Sequence, residues 1–326
     1  MMNAFSALEQ SSHFLTRTHS SIPIHPIKGA FAWRSETIGC PRAHAHSLSL
    51  AEIEAVDALL DKVEASGIGI DCIRQGDWTN TIMRPLVEQC CMELFKGRGF
   101  VMLRRVPVTR WPLARAKLFM KVFGSQFGRL GLQNPQGDII GEVRNLPSAG
   151  ANARIYMTDR EFRPHCDAAD VLGLLAIRSA ASGGQIRLTS SVSIFNALLS
   201  ESPQLAKRLF EPTLLDLRNE QAEGSAPVAW ITPCAHHNGV LKTLYISDYF
   251  RSADRHPGVK IDAEARSLFD EYDRLAAHPD LELRFDIEPG DLLILNNHTI
   301  VHARDAFVDT PGAERLLLRF LASHGA

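Results

Sequence analysis

The sequence predicts an α+β chain built on a distorted double-stranded β-helix, or jelly roll, with flanking helices and insertions. Three observations predict it. Short apolar runs bounded by Gly and Pro recur along the chain, and they have the length of strands. Stretches of helical period interrupt these runs instead of alternating with them regularly. No period of about 20 to 50 residues repeats, which excludes solenoids and propellers, and short strands interrupted by helices fit a jelly roll.

Taken in order, residues 1–48 are rich in Ser, His and Pro without a period. They are expected to form an irregular N-terminal arm, with residues 49–326 a single jelly-roll domain carrying a helical flank. From Ser49, apolar residues recur at helical spacing to Leu60, and acidic residues near the start complement the helix dipole. A second helix is expected over 80–95 with Gly97 as its stop, then a strand over 99–104 broken by Pro107, then a helix over 112–123. Residues 128–143 read as strand, turn and strand. Gln133 and Asn134 belong to that turn and are also candidates to contact a substrate.

Val171–Arg178 is apolar enough for a buried strand, after which Gly183-Gly184 turns the chain into 185–188. The serine cluster 190–193 suits the start of a helix to Leu199, and Ser202-Pro203 the start of another. Strand-like stretches 227–232 and 240–246 follow, then a helix opened by Asp262-Ala263-Glu264 and running to Ala277. Pro289-Gly290-Asp291 turns into the core strand 292–295.

The chemistry is concentrated in Arg163-Pro164-His165-Cys166-Asp167 and in His302, far downstream. Residues i and i+2 of an extended strand share a face, so His165 and Asp167 can direct an imidazole nitrogen and a carboxylate oxygen at one point. His302 would complete a two-histidine, one-carboxylate triad, the arrangement of non-haem Fe(II) oxygenases, which leaves positions open for a co-substrate and dioxygen. Among 13 histidines a His-x-Asp by itself is a weak signal. The run around Arg315, Leu317 and Arg319 strengthens it, because alternation sets both arginines on one strand face. Burying two guanidiniums is costly unless each meets an anion, and the planar fork suits a carboxylate. The bland alternative is an edge strand with its charges in solvent.

Other signals are weaker. Cys166 alternates to the opposite face from the two proposed ligands and is expected in the core. His236-His237 is the competing metal-like pair, but adjacent strand residues face apart, and a surface turn before Asn238-Gly239 is expected there. The 6 cysteines form no C-x-x-C pattern, which argues against a zinc module or a disulfide framework. With 35 basic and 37 acidic residues the chain has no electrostatic footprint for nucleic acid or a membrane surface. Neither a secretory leader nor an apolar run of bilayer length is visible, so a cytoplasmic protein with a small-molecule substrate is expected; homo-oligomer formation stays open.

Over about residues 96–322 the sequence resembles the TauD/TfdA-like (taurine dioxygenase-like) Fe(II)/2-oxoglutarate-dependent oxygenases. The resemblance is carried by Gly97-Arg98-Gly99-Phe100-Val101-Met102-Leu103-Arg104, His165-x-Asp167, Ser182-Gly183-Gly184-Gln185, Pro289-Gly290-Asp291, Asn296-Asn297-His298, His302 and Arg315-x-x-x-Arg319, in the family's order. It implies that His165, Asp167 and His302 bind catalytic Fe(II), that Arg315 binds 2-oxoglutarate, and that Arg319 sits near it or reaches the substrate. It also implies use of dioxygen, conversion of 2-oxoglutarate to succinate and CO2, and oxidation of a small polar, carboxylate-bearing metabolite by hydroxylation, desaturation or ring closure. Because Asp167 is present, halogenation is disfavoured. One position departs from the pattern: several members carry a hydroxyl residue just after Gly-Gly-x to help hold 2-oxoglutarate, and here it is Ile186. Thr189 is the substitute the same strand offers, provided the strand bulges. The alternative reading is a catalytically silent jelly roll that binds a metal or a small acid.

Overall fold

The computed structural model describes residues 21–323 apart from 75–77, 79, 135, 147–154, 219, 220 and 222. The first twenty residues of the expected arm lie outside this set. Three helices occur where helical spacing places them: α1 (Leu50–Ser66), α2 (Met83–Phe95) and α3 (Leu113–Gly124). At α1, Ser49 accepts from the Glu52 amide while the Glu52 carboxylate accepts from the Ser49 amide, a reciprocal cap that holds the first turn. Gly67, in the left-handed conformation, ends this helix a turn and a half beyond the expected stop. α2 starts later than expected because Asn80 Oδ1 takes the amides of Ile82 and Met83.

The strands that position the site are β1 (Phe100–Arg104), β2 (Arg129–Leu130), β3 (Gly141–Val143), β4 (Phe162–His165), β5 (Val171–Arg178), β6 (Ile186–Ser190), β7 (Glu282–Phe285), β8 (Leu292–Asn296), β9 (Ile300–Arg304) and β10 (Leu316–Ser323). Among the described residues they form two sheets. The larger has the order His46–Ser47, β1, β8, β5, β10, β2, with β3 also on β10; the smaller has the order β7, β6, β9, β4. Both pieces of the expected 128–143 hairpin are strands, but each pairs with β10 and not with the other.

Period-two alternation explains the packing. In β10, Leu318, Phe320 and Ala322 join the apolar layer under α1, α2 and α3, while Leu317 and Leu321 point between the sheets with Leu172, Leu174, Leu188 and Leu293. Gly173 is forced by that layer, since a Cβ there would lie 2.1 Å from Phe320 Cε1. Arg319, odd-numbered like Leu317, is thereby carried into the space between the sheets. A third apolar layer gathers α4 (Ser191–Glu201), α5 (Pro203–Arg208), α6 (Ser247–Arg251) and α7 (Ala263–Ala276) behind the smaller sheet.

The described part of the arm is largely irregular, and it is tied to this frame. The Ile27 amide donates to Asn196 Oδ1, Ser193 Oγ donates to the Trp33 carbonyl, and Trp33 Nε1 donates to the Arg98 carbonyl.

Candidate metal centre and its flanking arginines

β4 and β9 are antiparallel neighbours, and their register sets His165 directly across from His302. Opposed residues in such a pair share a face, and the two ring centroids are 4.0 Å apart. Asp167 lies just beyond β4, where the chain leaves the smaller sheet for β5 in the larger one. One nitrogen from each imidazole and one carboxylate oxygen lie within 4.8 Å of one another, and among the described residues this is the one such cluster of three or more metal-ligating side chains. Nitrogen and carboxylate donors in that ratio suit Fe(II), whose coordination they fill only halfway.

The surroundings orient the donors. His165 Nδ1 is 2.8 Å from the Arg163 carbonyl, an acceptor that keeps the proton on Nδ1 and leaves Nε2 with its lone pair. Phe162 stacks on the same ring with centroids 3.6 Å apart at 17°. Burial pushes the His165 pKa down to about 4 against the opposing pull of Asp167, and burial together with His165 holds His302 well below the ordinary histidine value. Both rings are therefore neutral at physiological pH, the form that binds a metal.

In the unfolded chain these histidines take up protons near their ordinary value of 6.5, whereas in the folded chain His165 does so only near 4. The unfolded state thus binds more protons across that window, and metal-free protein is expected to lose stability as pH falls through it. Urea melts of metal-free protein between these pH values measure the slope. A slope unchanged by His302→Gln would show that this ring contributes nothing to it.

The two inward arginines differ. Arg315, at the start of β10, is 2 % exposed, and neither of its terminal nitrogens has a hydrogen-bond partner. Its backbone amide is held by Asp309 Oδ1 at 2.8 Å, and its guanidinium lies 5.1 Å from the centre of the Phe307 ring. Burial lowers its pKa to about 10, which still leaves it a cation at neutral pH. An unpaired buried cation costs several kcal/mol unless an anion meets it. The glycine pair lets the chain come this close: Gly184 has φ +74°, and a Cβ there would sit 3.2 Å from Phe307 Cβ and 3.4 Å from Arg315 Nε.

Arg319 is already engaged. Its Nε donates to Gln133 Oε1 at 2.8 Å, its Nη1 is 3.3 Å from Asp167 Oδ2, and its guanidinium lies 4.6 Å from the centre of the Tyr156 ring. Gln133 is therefore buried beside Arg319. Asn134 is not: its amide donates to Asp138 Oδ2 and its Oδ1 accepts from the Asp138 amide, so it closes its own turn.

Thr189 requires a correction. β6 does not bulge against β9: Leu188 opposes His302 and Ile186 opposes Arg304, which sends Thr189 to the other face. There its hydroxyl donates to the Ala276 carbonyl at the end of α7, at 2.6 Å. It has no access to the site face. Cys166 is buried in the apolar layer behind the smaller sheet, as alternation requires. His236 and His237 lie in a strand, Cys234–His237, closed by left-handed Asn238 and Gly239, where a turn was expected, and neither joins the cluster.

Two residues near the site carry no role in the sequence reading. Arg304, two positions beyond His302 on β9, was legible in principle from strand alternation. Tyr156, in the short 3-10 helix Ile155–Met157, gives no signal, because its place over Arg319 depends on a contact far apart in sequence.

The family profile described as "Taurine catabolism dioxygenase TauD, TfdA family" matches residues 77–321. Among curated proteins, "FR-33289 synthase" of Streptomyces rubellomurinus (strain ATCC 31215) is 29 % identical over 228 residues, 69 % of this chain and 67 % of that protein. A "Uridine-5'-phosphate dioxygenase" of Streptomyces sp is 27 % identical over 157 residues, 45 % of this chain and 54 % of that protein. The fold is shared with asparagine oxygenase, solved with Fe(II), 2S,3S-3-hydroxyasparagine and succinate, at a TM-score of 0.66 and 17 % identity, covering 86 % of this chain and 93 % of the other. Among the described residues, no helix is long and apolar enough to cross a membrane.

Proposed function

The chain belongs to the taurine catabolism dioxygenase TauD, TfdA family, and on that premise we propose that it uses Fe(II), 2-oxoglutarate and dioxygen to oxidise a small polar, carboxylate-bearing metabolite. The observation that carries the reading is the pairing of a compact His165, Asp167, His302 donor set with a buried Arg315 guanidinium whose two terminal nitrogens lack acceptors. His165, Asp167 and His302 would hold the iron, and Arg315 would receive the distal carboxylate of 2-oxoglutarate. Arg319, set by Gln133 and faced by Tyr156, would receive the anionic end of the substrate.

With iron and 2-oxoglutarate bound, dioxygen would be the oxidant, taking two electrons from 2-oxoglutarate as it becomes succinate and CO2 and two from the substrate. The protein's own part is placement and dryness. The neutral imidazoles and the Asp167 carboxylate direct their donors at one point. Arg315 and Arg319 enter from the larger sheet and orient the two organic acids, and the apolar layer between the sheets excludes water. That a relative bears the name uridine-5'-phosphate dioxygenase, and that a structural neighbour was solved with a hydroxylated amino acid and succinate, supports a small anionic substrate.

The test is an anaerobic titration of the purified protein with Fe(II) and then 2-oxoglutarate. A weak visible charge-transfer band is expected on addition of the acid. Iron bound without that band would move the reading to a silent metal-binding scaffold.

A further inference from the structure

We propose that Arg304 is a second anchor for the distal carboxylate of the co-substrate, acting beside Arg315. The inference rests on the Fe(II)/2-oxoglutarate reading above and adds a residue that determines which 2-oxo acid the pocket prefers.

Arg304 lies two residues after His302 on β9, so strand alternation turns it to the same face as that ligand. It is 5 % exposed. Its Nη2 donates to the carbonyls of Thr158, at 2.8 Å, and Arg160, which fixes the plane of the guanidinium. Its Nε is buried and has no acceptor. The two terminal nitrogens of Arg315 are in the same condition. The two guanidinium carbons lie 4.8 Å and 5.1 Å from the centre of the same ring, that of Phe307.

Two buried cations around one phenyl ring repel each other, and each keeps donors that no protein group satisfies. Asp309 is near, but its Oδ1 is taken by the Arg315 amide and it bonds to neither guanidinium. Directly across from Arg304, β6 presents Ile186, which has no group to offer an anion. A carboxylate has two oxygens with about four acceptor positions, enough for Nε of Arg304 and the terminal nitrogens of Arg315 together. A 2-oxo acid with a second carboxylate supplies that group, and one without it leaves the donors unsatisfied.

The competing role for Arg304 is structural, as a clamp on residues 158–160. Binding of two acids to the Fe(II)-loaded full chain, measured anaerobically by the charge-transfer band, separates the two roles. 2-Oxoglutarate and 2-oxobutanoate share the chelating end, and only the first has a distal carboxylate. Arg304→Gln is expected to weaken 2-oxoglutarate about 10- to 100-fold, the worth of one hydrogen bond to a charged group, and 2-oxobutanoate by less than about 3-fold. Arg304→Lys keeps a cation and the clamp's charge, and is expected to lose a smaller part of the preference. Equal weakening of both acids, or an unchanged ratio in both variants, overturns the proposal. Wild-type protein that shows no preference between the two acids would instead overturn the 2-oxoglutarate reading itself.

Discussion

Arg315→Ala is expected to raise the 2-oxoglutarate concentration for half-saturation by roughly 30-fold or more. Deleting one partner of a buried, hydrogen-bonded charge pair costs about 2–5 kcal/mol, because the remaining anion is left in a dry pocket with most of its donors gone. Arg315 meets that condition: it is 2 % exposed, and both terminal nitrogens are free of protein acceptors. The same titration on two other variants localises the effect. Arg319→Ala is expected to weaken the substrate more than the co-substrate, since Arg319 sits on Gln133, Asp167 and Tyr156. Thr189→Val removes a hydroxyl that faces α7, so it should cost about 1 kcal/mol of stability and leave 2-oxoglutarate affinity unchanged. Equal losses from Arg315→Ala and Arg319→Ala would mean that the two roles have been divided wrongly.

Loss of any one of the three metal-ligating side chains is the second large effect. His165→Ala, Asp167→Ala and His302→Ala should each weaken Fe(II) binding by more than about 100-fold, beyond the range seen when only a group supporting a ligand is removed. The fold is expected to survive, because β4 and β9 are paired through their backbones and the apolar layers on either side of the smaller sheet do not depend on the imidazoles. Circular dichroism and direct metal titration read the two consequences separately. Unchanged iron affinity in all three variants would sink the assignment.

The donors were legible for a simple reason. His165 and Asp167 are two residues apart, and a two-residue spacing in extended chain carries its own geometry. Arg315 and Arg319 were legible in the same way, as polar residues four apart, and so on one strand face with Leu317, in an otherwise apolar run. The helices were legible from their period and caps, and the error at the end of α1 arose because apolar spacing loses strength after Leu60 while Gly67 still provides the stop.

Thr189 marks where such reasoning fails. Whether a hydroxyl reaches a site depends on whether its strand bulges, and a bulge is a property of a pair of strands. β6 runs in unbroken register with β9, and an unbroken register puts Thr189 and Ile186 on opposite faces. Asn134 takes the turn role of its two expected readings, with the nearby Asp138 as a local partner that spacing does not reveal.

By itself, then, the chain determined what local periodicity governs, namely the helical flank, the strand runs and the shared face of Arg315 and Arg319, while the family's motifs pointed to the jelly roll and to His165, Asp167 and His302. Tertiary structure alone decided what depends on partners distant in sequence. The opposition of His165 and His302 needs 136 residues of intervening chain to return in one register. The gathering of Arg304 and Arg315 at Phe307, the seating of Gln133 against Arg319 and the exclusion of Thr189 are likewise set by how sheets stack and strands align. Side-chain alternation fixes which face a residue takes, but only the packed sheets fix what that face meets.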